Sequence, residues 1–196
     1  MNAPRKSGRA PRVSSGLLSC VFAVGSPLLP ALCAQAQQVD ANPAKAAFLY
    51  HFAQMVYWPL AVRDSSQALT LCVFGNDSLG GSIDSVIDGK SVGAQTIHVR
   101  HLGPEDHVQD CQMLYIGHDG PVHIAAILAE ARQHSVLTIG EDDDFLAQGG
   151  VIAFVLEGGR LRFEINLESA ESSHILISSR LLQLSRRVVG GRDDRQ

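Results

Sequence analysis

Residues 45–59 read KAAFLYHFAQMVYWP, and they predict a helix against which the rest of the chain packs. Phe48, Leu49, Phe52, Met55 and Val56 recur at steps of three and four, which makes one apolar stripe. Asn42 suits the helix cap, and Pro43 suits the first turn, where a missing N–H is no loss. Pro59 biases Trp58 away from helical angles and ends the segment. Tyr50, Tyr57 and Trp58 fall partly off the stripe, so the stretch holds more apolar area than one buried face needs. Two readings stay open: a well-buried core helix, or a helix whose aromatic end meets a partner.

Downstream, residues 69–75 (LTLCVFG), 94–102, 111–117 (CQMLYIG) and 136–140 read as short apolar strands. Helical patterns separate them, a weak one around Ile83, Val86 and Ile87 and a clearer one carrying Ile124, Ile127, Leu128 and Ala131. Strands alternating with helices predict a parallel sheet with right-handed crossovers. If the sheet follows the order 2-1-3-4, the first and third of these strands are neighbours.

The pattern then changes. Residues 151–156 and 160–165 flank Glu157-Gly158-Gly159 and predict an antiparallel hairpin turning on the glycines. Arg160 and Arg162 should face one way, Leu161 and Phe163 the other. Asn166 can cap the segment after the hairpin, and Leu181, Leu182 and Leu184 belong to a closing helix. That helix either continues from Leu167 or restarts at Ser178 or Ser179 with residues 175–177 extended. The expected fold is α/β: a compact single domain, a mostly parallel sheet flanked by helices, a C-terminal antiparallel hairpin and a closing helix.

The first 36 residues read as a secretory signal peptide. Arg5, Lys6, Arg9 and Arg12 form its basic start, residues 17–24 its apolar centre, and Ala34-Gln35-Ala36 a small-x-small cleavage site. Cleavage after Ala36 leaves a short leader (37–42), a domain (43–188) and a disordered tail (189–196), exported to the periplasm. The signal holds 4 of the 16 basic residues and none of the 20 acidic ones, so 12 face 20 beyond it, a net charge of −8. That balance argues against nucleic acid as a partner. Cys72 and Cys111 are the two cysteines beyond the signal. In an oxidising compartment they read as one disulfide, with two buried thiols on neighbouring strands as the alternative.

Catalytic motifs do not assemble. The loop with Asn76, Asp77, Ser78, Gly80 and Gly81 follows a strand and opens a helix, a place where N–H groups can cradle an anion, but it lacks GxGxxG. The eight histidines show neither HExxH nor Cys/His zinc spacing. Glu141-Asp142-Asp143-Asp144 reads as a solvated helix start. No GxSxG elbow is present. The sequence therefore predicts no catalytic residue, no metal and no cofactor.

Five blocks, in order, are similar to the YfiR family of periplasmic regulators: KAAFLYHFAQMVYWP, LCVFGNDSLGG, CQMLYIG, VLTIGEDDDFLAQGGVIAFVLEGGRLRFEINLESA and ISSRLLQL. The resemblance spans roughly residues 43–187. It implies a non-enzymatic repressor that binds the periplasmic sensor domain of a membrane diguanylate cyclase, modulating cyclic di-GMP and biofilm. An outer-membrane lipoprotein would sequester it, and a homodimer is expected. Cys72 and Cys111 match a family cysteine pair; a second pair found in some members is absent. As partner-binding residues the expectation singles out Tyr57, Trp58, Leu161 and Phe163. The alternative is a small-ligand sensor coupled to a sensor kinase or an outer-membrane receptor, with residues 76–81 as its ligand mouth.

Overall fold

The computed structural model describes residues 41–60, 68–74, 79, 81–118 and 123–191. In chain order these form α1 (Ala41–Met55), β1 (Val56–Tyr57), β2 (Ala68–Phe74), α2 (Ser82–Ile87), β3 (Ser91–Val92), β4 (Gln95–Leu102) and β5 (Met113–Ile116). There follow α3 (Ile124–Gln133), β6 (Leu137–Gly140), β7 (Ile152–Glu157), β8 (Arg160–Asn166), α4 (Leu167–Ser172), β9 (Leu176–Ile177), α5 (Ser179–Leu184) and β10 (Arg187–Val189).

The main sheet runs β10-β8-β7-β6-β5-β2-β4-β3. Its centre, β4-β2-β5-β6, is parallel and follows the predicted 2-1-3-4 order. Both faces of this centre are covered, so its strands read as nearly continuous apolar runs. Leu71, Val73, Met113 and Tyr115 face one cluster with Leu49 and Phe52 of α1, Ile83 and Ile87 of α2 and Leu181 of α5. Cys72, Phe74, Leu114 and Ile116 face the other, with Leu128 and Ala131 of α3.

The hairpin has the expected register. Glu157 pairs with Arg160, Phe154 with Phe163, and both turn glycines have positive φ, 56° and 74°, which suits a two-residue primed turn. Arg160 and Arg162 are exposed while Phe163 is buried. Phe163 packs edge-on against Phe52, ring centres 5.0 Å apart, beneath α1.

The closing segment is divided. Asn166 accepts a hydrogen bond from Ser169 N–H and caps α4, Ser178 accepts one from Leu181 N–H and caps α5, and between them a turn at Ser173 and His174 leads into extended Leu176–Ile177. Three expectations change. Asn42 lies inside α1 rather than at its cap. Val189, placed in the tail by sequence, belongs to β10, which pairs with β8. Residues 142–149 form turns, not a helix, and Glu141 is buried. Those turns seat Phe145 between two glycines: a Cβ on Gly140 would stand 2.3 Å from its ring, and one on Gly150 2.1 Å.

Cys72 and Cys111 are joined, with 5.8 Å between their Cα atoms, inside the usual disulfide range. The bond ties β2 to the approach to β5 on the α3 side. Arg100 lies beside it, its Nη2 donating to the His107 carbonyl at 3.2 Å and standing 3.5 Å from the Cys111 sulfur.

Candidate functional site

Helix α1 ends at Met55 because the chain becomes extended and pairs elsewhere. Val56 and Tyr57 lie opposite Ile177 and Leu176 in a short antiparallel ribbon, β1–β9. Ser178 N–H donates to the Met55 carbonyl at 3.1 Å and extends the join. This turn carries Trp58 back over the amino ends of the central strands. Its indole N–H donates to the Gln112 carbonyl at 3.1 Å, a carbonyl that also accepts from Leu137 N–H at 2.9 Å. The Gln112 side-chain oxygen takes Thr70 N–H at 2.7 Å. One residue thus joins the starts of β2, β5 and β6 to the tryptophan.

Trp58 is consequently 8 % exposed, whereas Tyr57 is 53 %, Leu60 65 % and Leu176 67 % exposed. Beside them lies a groove of about 680 Å³, lined by Tyr57, Trp58, Pro59, Ser135, Glu171, His174, Ile175 and Leu176. A second hollow of about 440 Å³ shares Tyr57 and Trp58 and reaches Leu69, Val92 and the β3–β4 turn. Tyr57 therefore stands between two recesses.

The four expected contact residues do not form one surface. Tyr57 meets Leu176 and not the hairpin. Phe163 is sealed in the core under Phe48 and Phe52, and Leu161 is half-buried. Burial withdraws Phe163 and most of Trp58 from a contact face, because α1 covers the former and the ribbon folds the latter inward. Of the proposed ligand loop, Asn76, Asp77, Ser78 and Gly80 lie outside the described residues. Gly81, with φ 73°, precedes α2 and its carbonyl accepts from Ser85 N–H.

At the opposite, carboxyl ends of the strands sits a polar network that sequence reasoning missed. The Glu141 carboxylate accepts from Lys45 Nζ of α1 at 2.7 Å and from the Tyr115 hydroxyl. His118 Nε2 lies 3.3 Å from it, and His118 Nδ1 lies 3.1 Å from Asp142. A third polar cluster sits at the sheet edge, where buried Glu164 accepts from Arg186 and Arg187. Burial by itself would raise the Glu164 carboxyl, but hydrogen bonds and charge from Arg187 and Arg186 outweigh it and hold the carboxyl below the usual range. Glu157 and then Glu164 in turn hold Arg186 above its usual value. Each of these clusters is paired internally, which is the signature of structural ion pairs. Among the described residues no group of three or more His, Cys, Asp or Glu could hold a metal ion, and no helix is long and apolar enough to cross a membrane.

A model of the YfiR/HmsC-like family matches residues 42–186. No protein of curated function matches the chain. Among solved structures, the chain is similar to a conserved domain protein from Vibrio cholerae O1 biovar El Tor str. N16961, with 11 % identity and a TM-score of 0.51. The likeness covers 75 % of this chain and 60 % of that one, and at such identity it shows the fold alone.

Proposed function

The chain belongs to the YfiR/HmsC-like family, a family of periplasmic regulators rather than catalysts, and from that premise we propose that it represses an inner-membrane diguanylate cyclase by direct contact. The reading makes the chain a periplasmic binding protein, exported by a signal peptide cleaved after Ala36, that lowers cyclic di-GMP and biofilm formation. An outer-membrane lipoprotein is the expected antagonist, and the working unit is a homodimer. A repressor of this kind must bind the partner's inactive state more tightly than the active one. Driving a two-state partner from 99:1 active to 99:1 inactive takes a preference of about 5.5 kcal/mol. Aromatic anchors, tyrosine among them, supply such energy most readily.

The observation that carries the proposal is the exposed apolar pair Tyr57 and Leu176, which lie across from each other and line one groove. Grouped exposed apolar side chains next to a recess mark an interaction site more often than a solvated surface. Deleting the gene should raise cellular cyclic di-GMP, and restoring the wild-type chain at normal abundance should lower it again. Unchanged cyclic di-GMP on deletion would end the proposal.

The second reading, a small-ligand sensor, has one observation in its favour. The strand order reverses at β2, between β4 and β5, and residues 75–81 follow β2 at its carboxyl end, where open α/β sheets bind ligands. A melting shift on screening periplasmic metabolites, with repression altered by the same compound, would favour it.

A further inference from the structure

Among the described residues two non-glycines have positive φ, Ser135 at 57° and His174 at 56°. Both line the groove beside Trp58. Each is the residue just past a helix C-terminus, in the same hydrogen-bonded motif. After α3, Val136 N–H donates to the Ala131 carbonyl at 2.9 Å; after α4, Ile175 N–H donates to the Ala170 carbonyl at 2.9 Å. This is the Schellman closure, which usually uses glycine because other residues are strained there. Retaining strained backbone at one groove from two separate helices is typical of binding sites.

The one acidic side chain of the groove and the helix ends beside it are negative, and His174 is its one basic lining residue. A helix C-terminus is the negative end of its dipole, and the ten-residue α3 ends here. Its one basic last-turn residue, Arg132, sets its guanidinium beside Gly149 and does not line the groove. Helix α4 has no basic residue in its last turn. Glu171 lines the groove, and no ion pair holds it among the described residues. The remaining wall is aromatic and aliphatic, Tyr57, Trp58, Pro59, Ile175 and Leu176.

We propose that this groove receives a basic side chain, arginine or lysine, flanked by apolar residues of the partner protein. The inference rests on the docking role assigned to the same surface and names the chemistry of what docks. The cation lies over the Tyr57 ring, donates to Glu171 and to the carbonyl end of α3, and its apolar neighbours cover Leu176 and Pro59. The net charge of −8 beyond the first 36 residues favours approach of a basic segment.

The test uses two peptides, acetyl-Leu-Arg-Leu-amide and its citrulline counterpart, which keeps the shape and loses the charge. Trp58 is the sole tryptophan, so its fluorescence and its indole N–H resonance report binding beside it, and Glu171, which lines this groove and not the second hollow, assigns the binding to this groove. The arginine peptide should shift both signals saturably and bind about 5-fold or more tightly than the citrulline peptide. Glu171→Gln, an exposed and conservative change, should remove most of that preference. Equal binding of the two peptides, no Trp58 response to either, or a preference untouched by Glu171→Gln overturns the proposal. Any of these results leaves the docking role standing if Tyr57→Asp still abolishes repression. Selective arginine binding with normal repression by Tyr57→Asp would instead remove the docking role and leave only a site for basic side chains.

Discussion

Tyr57 lies directly across from Leu176 in the ribbon β1–β9, and both side chains stand in solvent, 53 % and 67 % exposed. Next to Tyr57 in the chain, Trp58 is buried and bonded to Gln112. Neighbouring aromatics therefore have opposite placements, one buried and bonded to the domain and one standing in solvent.

Substitutions at the two exposed positions should leave stability nearly intact. Tyr57→Ala and Leu176→Ala are each expected to change unfolding free energy by no more than about 0.5 kcal/mol, as surface changes do. Urea unfolding of the purified protein checks this. A loss of several kcal/mol would make the patch part of the core.

Trp58 and Phe163 should behave as core. Trp58→Ala and Phe163→Ala are each expected to cost about 3–5 kcal/mol. Trp58→Phe keeps the ring packing and removes the bond to Gln112, so its cost should fall nearer 1–3 kcal/mol. If Trp58→Ala is as stable as wild type, the ribbon does not hold the indole where the fold places it.

The Cys72–Cys111 bond spans 39 residues. Unreduced exported protein should show no titratable thiol beyond the signal peptide. Replacing both cysteines by serine should cost roughly 3–4 kcal/mol in the chain-entropy description. Two free thiols in the native protein would contradict the bond.

Acid should weaken the β8–β10 edge. Glu164 is held below the ordinary glutamate value of 4.5, so it takes up a proton more readily unfolded than folded. Its contribution is present in full above that value and is lost as pH falls through the lower, folded value. Wild type should therefore lose more stability than Glu164→Gln between about pH 5 and pH 3. Parallel losses in the two proteins would assign the acid sensitivity to other carboxylates.

Much of this architecture is legible in the sequence because local chemistry determines it. The apolar runs of β2, β5 and β6 have no alternation since both faces are covered, and the glycine pair fixes the hairpin turn and with it the sides of Arg162 and Phe163. Asn166 and Ser178 announce their helices as side-chain caps. What escapes is held by long-range pairing. A two-residue strand such as β1 has no period to detect, and its partner Leu176 lies far along the chain. Glu141 sits in an acidic run that looks solvated; Lys45, 96 residues away, Tyr115 and His118 make its burial tolerable. The exposed apolar patch was half legible for the same reason. The excess of aromatics around Tyr57 signals more apolar area than one buried face needs, but nothing local shows that Trp58 turns inward or that Leu176 lies across from Tyr57.

We propose that the Tyr57–Leu176 face holds a membrane cyclase inactive. The most direct test is cellular cyclic di-GMP in a strain carrying Tyr57→Asp and Leu176→Asp, with the variant confirmed as exported, folded and at wild-type abundance, since unfolding would derepress for a trivial reason. Cyclic di-GMP should rise to the level of the gene deletion. A folded, abundant double variant that keeps cyclic di-GMP at the wild-type level would contradict the account.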